Sequence, residues 1–249
     1  MIDISLGRPT KEQNALHSWQ VDIGKGFVFH VDCNQPTQRY IHEILQAGSP
    51  YEAIETRFLM QHLKAGDVFF DVGANCGWFS AVALTLGASV VAFEPMAENI
   101  PYLKKNAPGA EVHQIAVGDY VGSTKIYVNM DNDGGHALWP CGSHPWNEET
   151  RKSGNPFQET YIATLDTFLP MYPAIIKIDT EGNEYNVLRG AKQLLQTPTL
   201  RAVICERNVF GLKNTGYAPE DVLRLMSEAG FNSAELSKGE KIENWIFTR

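Results

Sequence analysis

Two groups of residues in this 249-residue chain have types and spacings suited to chemistry. The first is Asp71-Val72-Gly73-Ala74-Asn75-Cys76-Gly77, where an acid and two glycines surround an asparagine directly after the apolar run Val68-Phe69-Phe70. Glycines at a strand-to-helix turn let the backbone bend sharply and approach a ligand with no Cβ in the way. Some twenty residues later, Glu94 closes the run Val90-Val91-Ala92-Phe93, where a carboxylate can accept hydrogen bonds from ribose hydroxyls. The second group is Asp179, Glu181 and Glu184, three carboxylates at the exit of Ile175-Ile176-Lys177-Ile178.

The ligand of the glycine turn is narrowed by what the turn lacks. A nicotinamide site asks for G-x-G-x-x-G, so that a pyrophosphate can rest on a helix N-terminus. Asn75 stands at the second glycine position, and no third glycine follows at that spacing. A phosphate loop ending in Gly-Lys-Ser/Thr is also absent. S-adenosylmethionine (SAM) has no phosphate; its amino acid end carries an ammonium as well as a carboxylate, so Asp71 beside the loop is compatible with it. Two other readings are carried forward: a nicotinamide-dependent oxidoreductase, and a SAM-binding module without catalysis.

The carboxylate group suits methyl transfer to oxygen. A hydroxyl is a weak nucleophile and must lose its proton as the new bond forms. A carboxylate acting as general base raises such a rate by roughly 10²–10⁴ when its pKa is tuned upwards, and crowding like charges is one way to tune it. The competing reading is structural, since acids at a helix N-terminus are favoured by its dipole. Carboxylates can also bind a divalent cation, but no metal is assigned. His136, in Asp133-Gly134-Gly135-His136, is the candidate alternative base. The catalytic candidates are therefore Asp179, Glu181 and His136. Asp119 is a candidate partner for an adenine amine, and Trp139 and Trp146 either wall a sugar site or close a loop over the core.

These residues resemble the FkbM-type methyltransferases, a branch of the class I Rossmann-like SAM enzymes. The resemblance runs through Tyr51-Glu52, Glu55-Thr56, Asp71 to Gly77, Ala92-Phe93-Glu94-Pro95, Ala116-Val117-Gly118-Asp119, Thr164-Leu165-Asp166 and Ile176 to Glu184, most of the chain between Tyr51 and Glu206. A valine is commoner in that family at Thr180 and an isoleucine at Cys76; neither change removes a charge. The resemblance implies that Asp71, Gly73, Asn75 and Gly77 hold the methionine part, Glu94 the ribose and the turn at Ala116 the adenine. The cofactor set on this basis is Glu55, Asp71, Gly73, Ala74, Asn75, Gly77, Trp78, Phe79, Glu94, Pro95, Ala116, Val117 and Asp179. It further implies a small hydroxylated acceptor, a sugar or natural product, with S-adenosylhomocysteine (SAH) as product.

The elements that must position these groups alternate. Short β-branched runs predict strands at 68–72, 89–93, 111–116, 175–178, 201–205, 231–235 and 245–248. Apolar residues recurring at three and four predict helices at 78–86, 97–106, 184–195 and 219–229. The pattern is that of an α/β, doubly wound, mostly parallel seven-stranded Rossmann-like sheet. A strand at 27–31 and a helix at 51–63 predict an N-terminal cover over residues 1–66. The core then occupies 67–249 of a single domain, with an insertion at about 120–167 that carries strands at 124–128 and 159–165. Loops of that length in compact domains are usually functional or disordered, and the insertion is assigned to the substrate side.

Net charge −8 and a pI near 5.4 would repel a phosphate backbone, so nucleic acid is not expected as a partner. Met1–Gln13 has no apolar run and no later run reaches the ~20 residues of a membrane span, which points to a cytoplasmic protein. Cys33, Cys76, Cys141 and Cys205 form no CxxC pair and are expected to be reduced thiols.

Overall fold

The computed structural model describes residues 14–22, 25–238 and 241–249, so the leading segment Met1–Gln13 lies outside the described residues. The chain begins with an antiparallel ribbon of β1 (Asn14–Asp22) and β2 (Lys25–Asp32), followed by α1 (Pro36–Gln46) and α2 (Ala53–His62). The alternating part follows with β3 (Val68–Val72), α3 (Trp78–Thr85), β4 (Ser89–Phe93), α4 (Ile100–Asn106) and β5 (Glu111–His113). A second sheet is then inserted, with β6 (Ala116–Val117), β7 (Gly122–Tyr127), the short α5 (Glu148–Lys152) and β8 (Phe157–Ala163). The chain returns with β9 (Ile175–Ile178), α6 (Glu184–Arg189), β10 (Ala202–Glu206), α7 (Val209–Asn214), α8 (Pro219–Glu228), β11 (Asn232–Lys238) and β12 (Lys241–Thr248).

The main sheet has seven strands in the order β11-β12-β10-β9-β3-β4-β5, parallel except where β12 runs against both neighbours. Successive strand residues face opposite sides, and each side has its own core. Phe69, Val90, Ile175 and Ile204 pack with Trp78 and Val82 of α3, Leu59 of α2, Ile41 of α1 and Phe29 of β2. Phe70, Val91, Ile176 and Val203 pack with Val187 of α6 and Val222 and Met226 of α8. Both faces are buried, which is why β3, β4 and β9 read as unbroken apolar runs.

The chain leaves β3 towards β4 and β5, then comes back to β9 on the other side of β3. The carboxyl ends of β3 and β9 therefore flank the point where strand order reverses, and in open α/β sheets ligands bind in that crevice.

Two predicted elements are corrected. The strand expected over 111–116 breaks at Gln114: the Ile115 N–H donates to the His113 carbonyl, and β6 leaves the main sheet to pair with β8. The helix expected over 184–195 stops at Gly190, where a Cβ would lie 2.0 Å from the Gly118 carbonyl oxygen, so only glycine fits at its end. Asp166 then accepts the N–H groups of Gln193 and Leu194, which form a separate short turn. α1, α5 and α7 were not expected. Among the described residues no helix is long and apolar enough to cross a membrane, and Cys76, Cys141 and Cys205 are free thiols.

Candidate functional site

A cavity of about 410 Å³ opens at the carboxyl ends of β3, β4 and β9, within the roughly 300–1,000 Å³ of small-molecule sites. Of the predicted cofactor set, Asp71, Gly73, Ala74, Asn75, Trp78, Phe79, Glu94, Pro95, Ala116, Val117 and Asp179 line it. Gly77 and Glu55 do not. Gly77 caps the start of α3 at φ 91°, and the buried Glu55 carboxylate accepts from the Asn244 side chain at 2.6 Å. The catalytic candidates Asp179, Glu181 and His136 also line the cavity, whereas Asp119 pairs with Arg189 at 3.3 Å and lies outside the lining.

The turn after β3 is held by its neighbours. The N–H groups of Gly73 and Ala74 donate to the Phe93 carbonyl, and that of Asn75 donates to Glu94 Oε2 at 2.8 Å. Gly73, at φ 80°, is required by chain packing: a Cβ there would meet the Asp179 carbonyl oxygen at 1.8 Å. Asn75 adopts φ 48°, a left-handed conformation that asparagine tolerates better than most residues, so it occupies a glycine-like position and adds a side chain to the cavity. Asp71 is buried and accepts from Ser80 Oγ at 2.6 Å; burial raises its pKa, with Lys177 acting in the opposite sense.

Glu94 is buried and well supplied with donors. Besides Asn75, its carboxylate accepts from the Met96 N–H at 2.9 Å and Asn99 Nδ2 at 3.3 Å. Burial still raises its pKa, against the effect of those bonds. Carboxylate oxygens have further lone pairs, so a ligand hydroxyl can join this set.

At the exit of β9, Lys177 lies buried over the Phe79 ring, 2.6 Å from Asp179 Oδ2 and 3.8 Å from Glu52 Oε2. Burial opposes its charge, but Asp179, Glu52 and Asp71 outweigh burial and hold its pKa above the ordinary lysine value. Burial pushes the Glu52 carboxyl up to about 7, with Lys177 opposing. Neither Lys177 nor Glu52 was expected at the site. The signal for the lysine was present, since a charged residue inside an otherwise apolar strand must be paired when buried.

Glu181 stands on a left-handed turn at φ 54°, its Oε2 accepting from Asn208 Nδ2 at 2.7 Å and its backbone carbonyl from Trp139 Nε1 at 2.6 Å. Glu206, at the end of the adjacent β10, has a buried Oε2 with no hydrogen-bond partner. One oxygen each of Asp179, Glu181 and Glu206 lie within 4.8 Å of one another, a set that could offer oxygen ligands to a hard cation. Burial first, then the charges of Asp179 and Glu184 at Glu181 and those of Glu181 and Asp179 at Glu206, push both pKa values well above the carboxylate range. Glu184 has the structural role: its Oε1 accepts from the N–H groups of Thr180 and Gly182 and from the Thr180 hydroxyl.

The insertion and α1 close the cavity from above. The Thr37 N–H donates to Asp133 Oδ1 at 2.6 Å, the Thr37 hydroxyl donates to Asn132, and Thr37, Asp133 and His136 all line the space. His136 is corrected as a candidate base. Its Nδ1 accepts from the Asn129 N–H at 3.0 Å, so the neutral ring carries its proton on Nε2 and presents a donor. Trp139 packs against Phe210 in a small buried cluster, whereas Trp146 is 80% exposed, so the pair forms no common wall.

The methyltransferase FkbM domain family matches residues 71–233, about two thirds of the chain and the whole stretch from the glycine turn to β11. The hexuronic acid methyltransferase AglP of Haloferax volcanii is 26% identical over 193 residues, 78% of this chain and 74% of the relative. Among solved structures, the methyltransferase FkbM of Methylobacillus flagellatus aligns with a TM-score of 0.48 at 15% identity; 74% of this chain is covered, but the chain spans only 44% of that protein. A TehB-like SAM-dependent methyltransferase of Corynebacterium glutamicum aligns with a TM-score of 0.48 at 13% identity, covering 86% and 95% of the two chains. A nicotinamide-dependent oxidoreductase is thereby set aside: the chain is a methyltransferase and belongs to the FkbM family.

Proposed function

We propose that the chain transfers a methyl group from SAM to a hydroxyl of a small sugar-like acceptor. The observation that carries this reading is that the β3 turn with Glu94 and the β9 exit with Glu181 face the same cavity. The lining suits SAM: Phe79, Phe93, Ile115 and Val117 offer apolar surface for an adenine ring, while Asn75 Oδ1 is a buried polar atom with no hydrogen-bond partner. When bound, SAM supplies an electrophilic methyl group on a sulfonium. Glu94 would hold the ribose, and Asp71 and Asn75 the amino acid end.

On the acceptor side, Lys177 fixes Asp179 by a 2.6 Å contact, and Glu181 is a cavity-lining carboxyl whose pKa burial raises well above the ordinary carboxylate value. Its ionised form takes the proton of the acceptor hydroxyl as the O–CH₃ bond forms and the S–CH₃ bond breaks, leaving a neutral thioether. The rest of the rate advantage comes from holding oxygen, carbon and sulfur in line.

The sugar class is supported by the relative named as a hexuronic acid methyltransferase. Here, however, Glu52, Asp71, Glu94, Asp131, Asp133, Asp179 and Glu181 line the cavity against one lysine. Like charges in a confined site repel an anionic ligand, so an uncharged hydroxylated ring fits this chain better than a uronate. Calorimetric titration with SAM and SAH tests the reading, with one molecule bound per cavity expected. A folded protein that binds neither, or that binds both and methylates no hydroxylated sugar in a panel of neutral and uronic acid glycosides, contradicts it.

A further inference from the structure

Two insertion side chains present buried, unpartnered polar atoms in the cavity lining: Asp133 Oδ2 and His136 Nε2. Buried polar atoms are ordinarily hydrogen-bonded, and exceptions ask for an explanation. Asp133 is 6% exposed, and so is the His136 side chain. His136 Nε2 lies 3.3 Å from the half-exposed Glu98 carboxylate and holds its pKa below the ordinary value, a long contact that falls outside hydrogen-bond geometry and that a ligand hydroxyl accepting from Nε2 would replace.

The remaining polar atom of each side chain is already committed. Asp133 Oδ1 accepts the Thr37 N–H, and His136 Nδ1 accepts the Asn129 N–H. What is left for a ligand is therefore defined in kind: an acceptor on Asp133 and an N–H donor on His136. A hydroxyl group both donates and accepts, so an acceptor and a donor together match a pair of hydroxyls better than a carboxylate or an ammonium. Both residues line the cavity together with Glu94, and His136 Nε2 lies 3.3 Å from Glu98 Oε1, on the segment that follows Glu94.

Resting on the SAM reading above, we propose that Asp133 and His136 form a hydroxyl clamp that closes over the cofactor's ribose, opposite Glu94. Asp133 accepts from one ribose hydroxyl and His136 donates to the diol. The insertion, assigned from sequence to the acceptor, is then in this part a cofactor-binding element. Because Asp133 also holds the start of α1 through Thr37, filling the ribose position and seating α1 become one event.

The test compares dissociation constants of SAH with those of its 2′-deoxy and 3′-deoxy analogues, measured calorimetrically on the wild-type chain, Asp133→Asn and His136→Phe. Asparagine keeps the oxygen that Thr37 needs and replaces only the cavity-facing acceptor. In the wild type, removing the clamped hydroxyl is expected to weaken binding about tenfold, equivalent to about 1.4 kcal/mol. In each variant SAH itself weakens by a similar factor, and the penalty for removing that hydroxyl shrinks to the part that Glu94 alone supplies. A purely structural role would weaken all three ligands alike and leave the deoxy penalty unchanged; that result overturns the clamp. Should one variant fail to fold, the deoxy penalty in the wild type and in the other variant decides. A wild type that binds deoxy-SAH as well as SAH overturns the clamp while SAM binding stands, whereas no SAH binding at all overturns the SAM reading.

Discussion

The exits of β4 and of β9–β10, either side of β3 in one sheet, carry carboxyls that are buried at β4 and half-buried at β9–β10, yet the two regions treat them differently. Glu94 receives three N–H donors, two from backbone positions fixed by the turn and one from Asn99. Glu181 receives one side-chain donor, from Asn208, and Glu206 Oε2 receives none. Burial raises the pKa of both kinds; three donors to the charged form oppose it at Glu94, and one, from Asn208, at Glu181. A donor-rich acid is a fixed acceptor suited to binding. A donor-poor acid crowded by like charges holds and releases protons.

The sharpest way to break this comparison is Glu181→Gln. If Glu181 is the base, single-turnover methyl transfer falls by roughly 10²–10⁴, while calorimetry shows SAH affinity within about threefold of the wild type. Equal losses in binding and transfer would place Glu181 with Glu94. Lys177→Met should follow in size. Removing the cation leaves Glu52 and Asp179 uncompensated, and breaking a buried pair in this way costs about 3–5 kcal/mol, read as a lower denaturant midpoint.

Glu94→Ala should act on binding instead of chemistry. It removes a carboxylate acceptor, and hydrogen bonds to charged groups contribute about 1.5–3 kcal/mol, so SAM affinity should drop roughly ten- to a hundredfold in a titration. Methyl transfer at saturating SAM should change far less.

The smallest effect concerns pH. The folded Glu52 carboxyl titrates at about 7 instead of its ordinary 4.5, so the folded chain keeps a proton that the unfolded chain has released. Its contribution to stability is therefore complete below about pH 4.5 and is lost as pH rises through about 7, on the order of 1–3 kcal/mol in all. Glu52→Gln should flatten this part of the stability-versus-pH curve; an unchanged slope would assign the titration elsewhere.

What was legible in the sequence divides along the same line. β3, β4 and β9 were read to the residue because strands buried on both faces leave unbroken apolar runs, and the turn between β3 and α3 announces itself by Gly73, Asn75 and Gly77. The less legible parts are held by partners distant in sequence. α5 begins where Asp131 accepts the N–H groups of Glu149 and Thr150, and α1 is tied to the insertion by Thr37. The state of His136 followed from a backbone N–H seven residues away, which no spacing rule reveals. That Glu184 is structural was not legible beside Asp179 and Glu181, because its three donors come from a turn whose shape is set by packing: a Cβ on Gly182 would lie 2.3 Å from Gly211.

The most direct measurement is a crystal structure of the SAH complex. The account predicts SAH in the cavity between β3 and β9, its ribose between Glu94 and the Asp133–His136 pair and its sulfur directed towards Glu181. SAH bound elsewhere, or in the cavity with its sulfur turned away from the Asp179–Glu181 turn, would contradict the account.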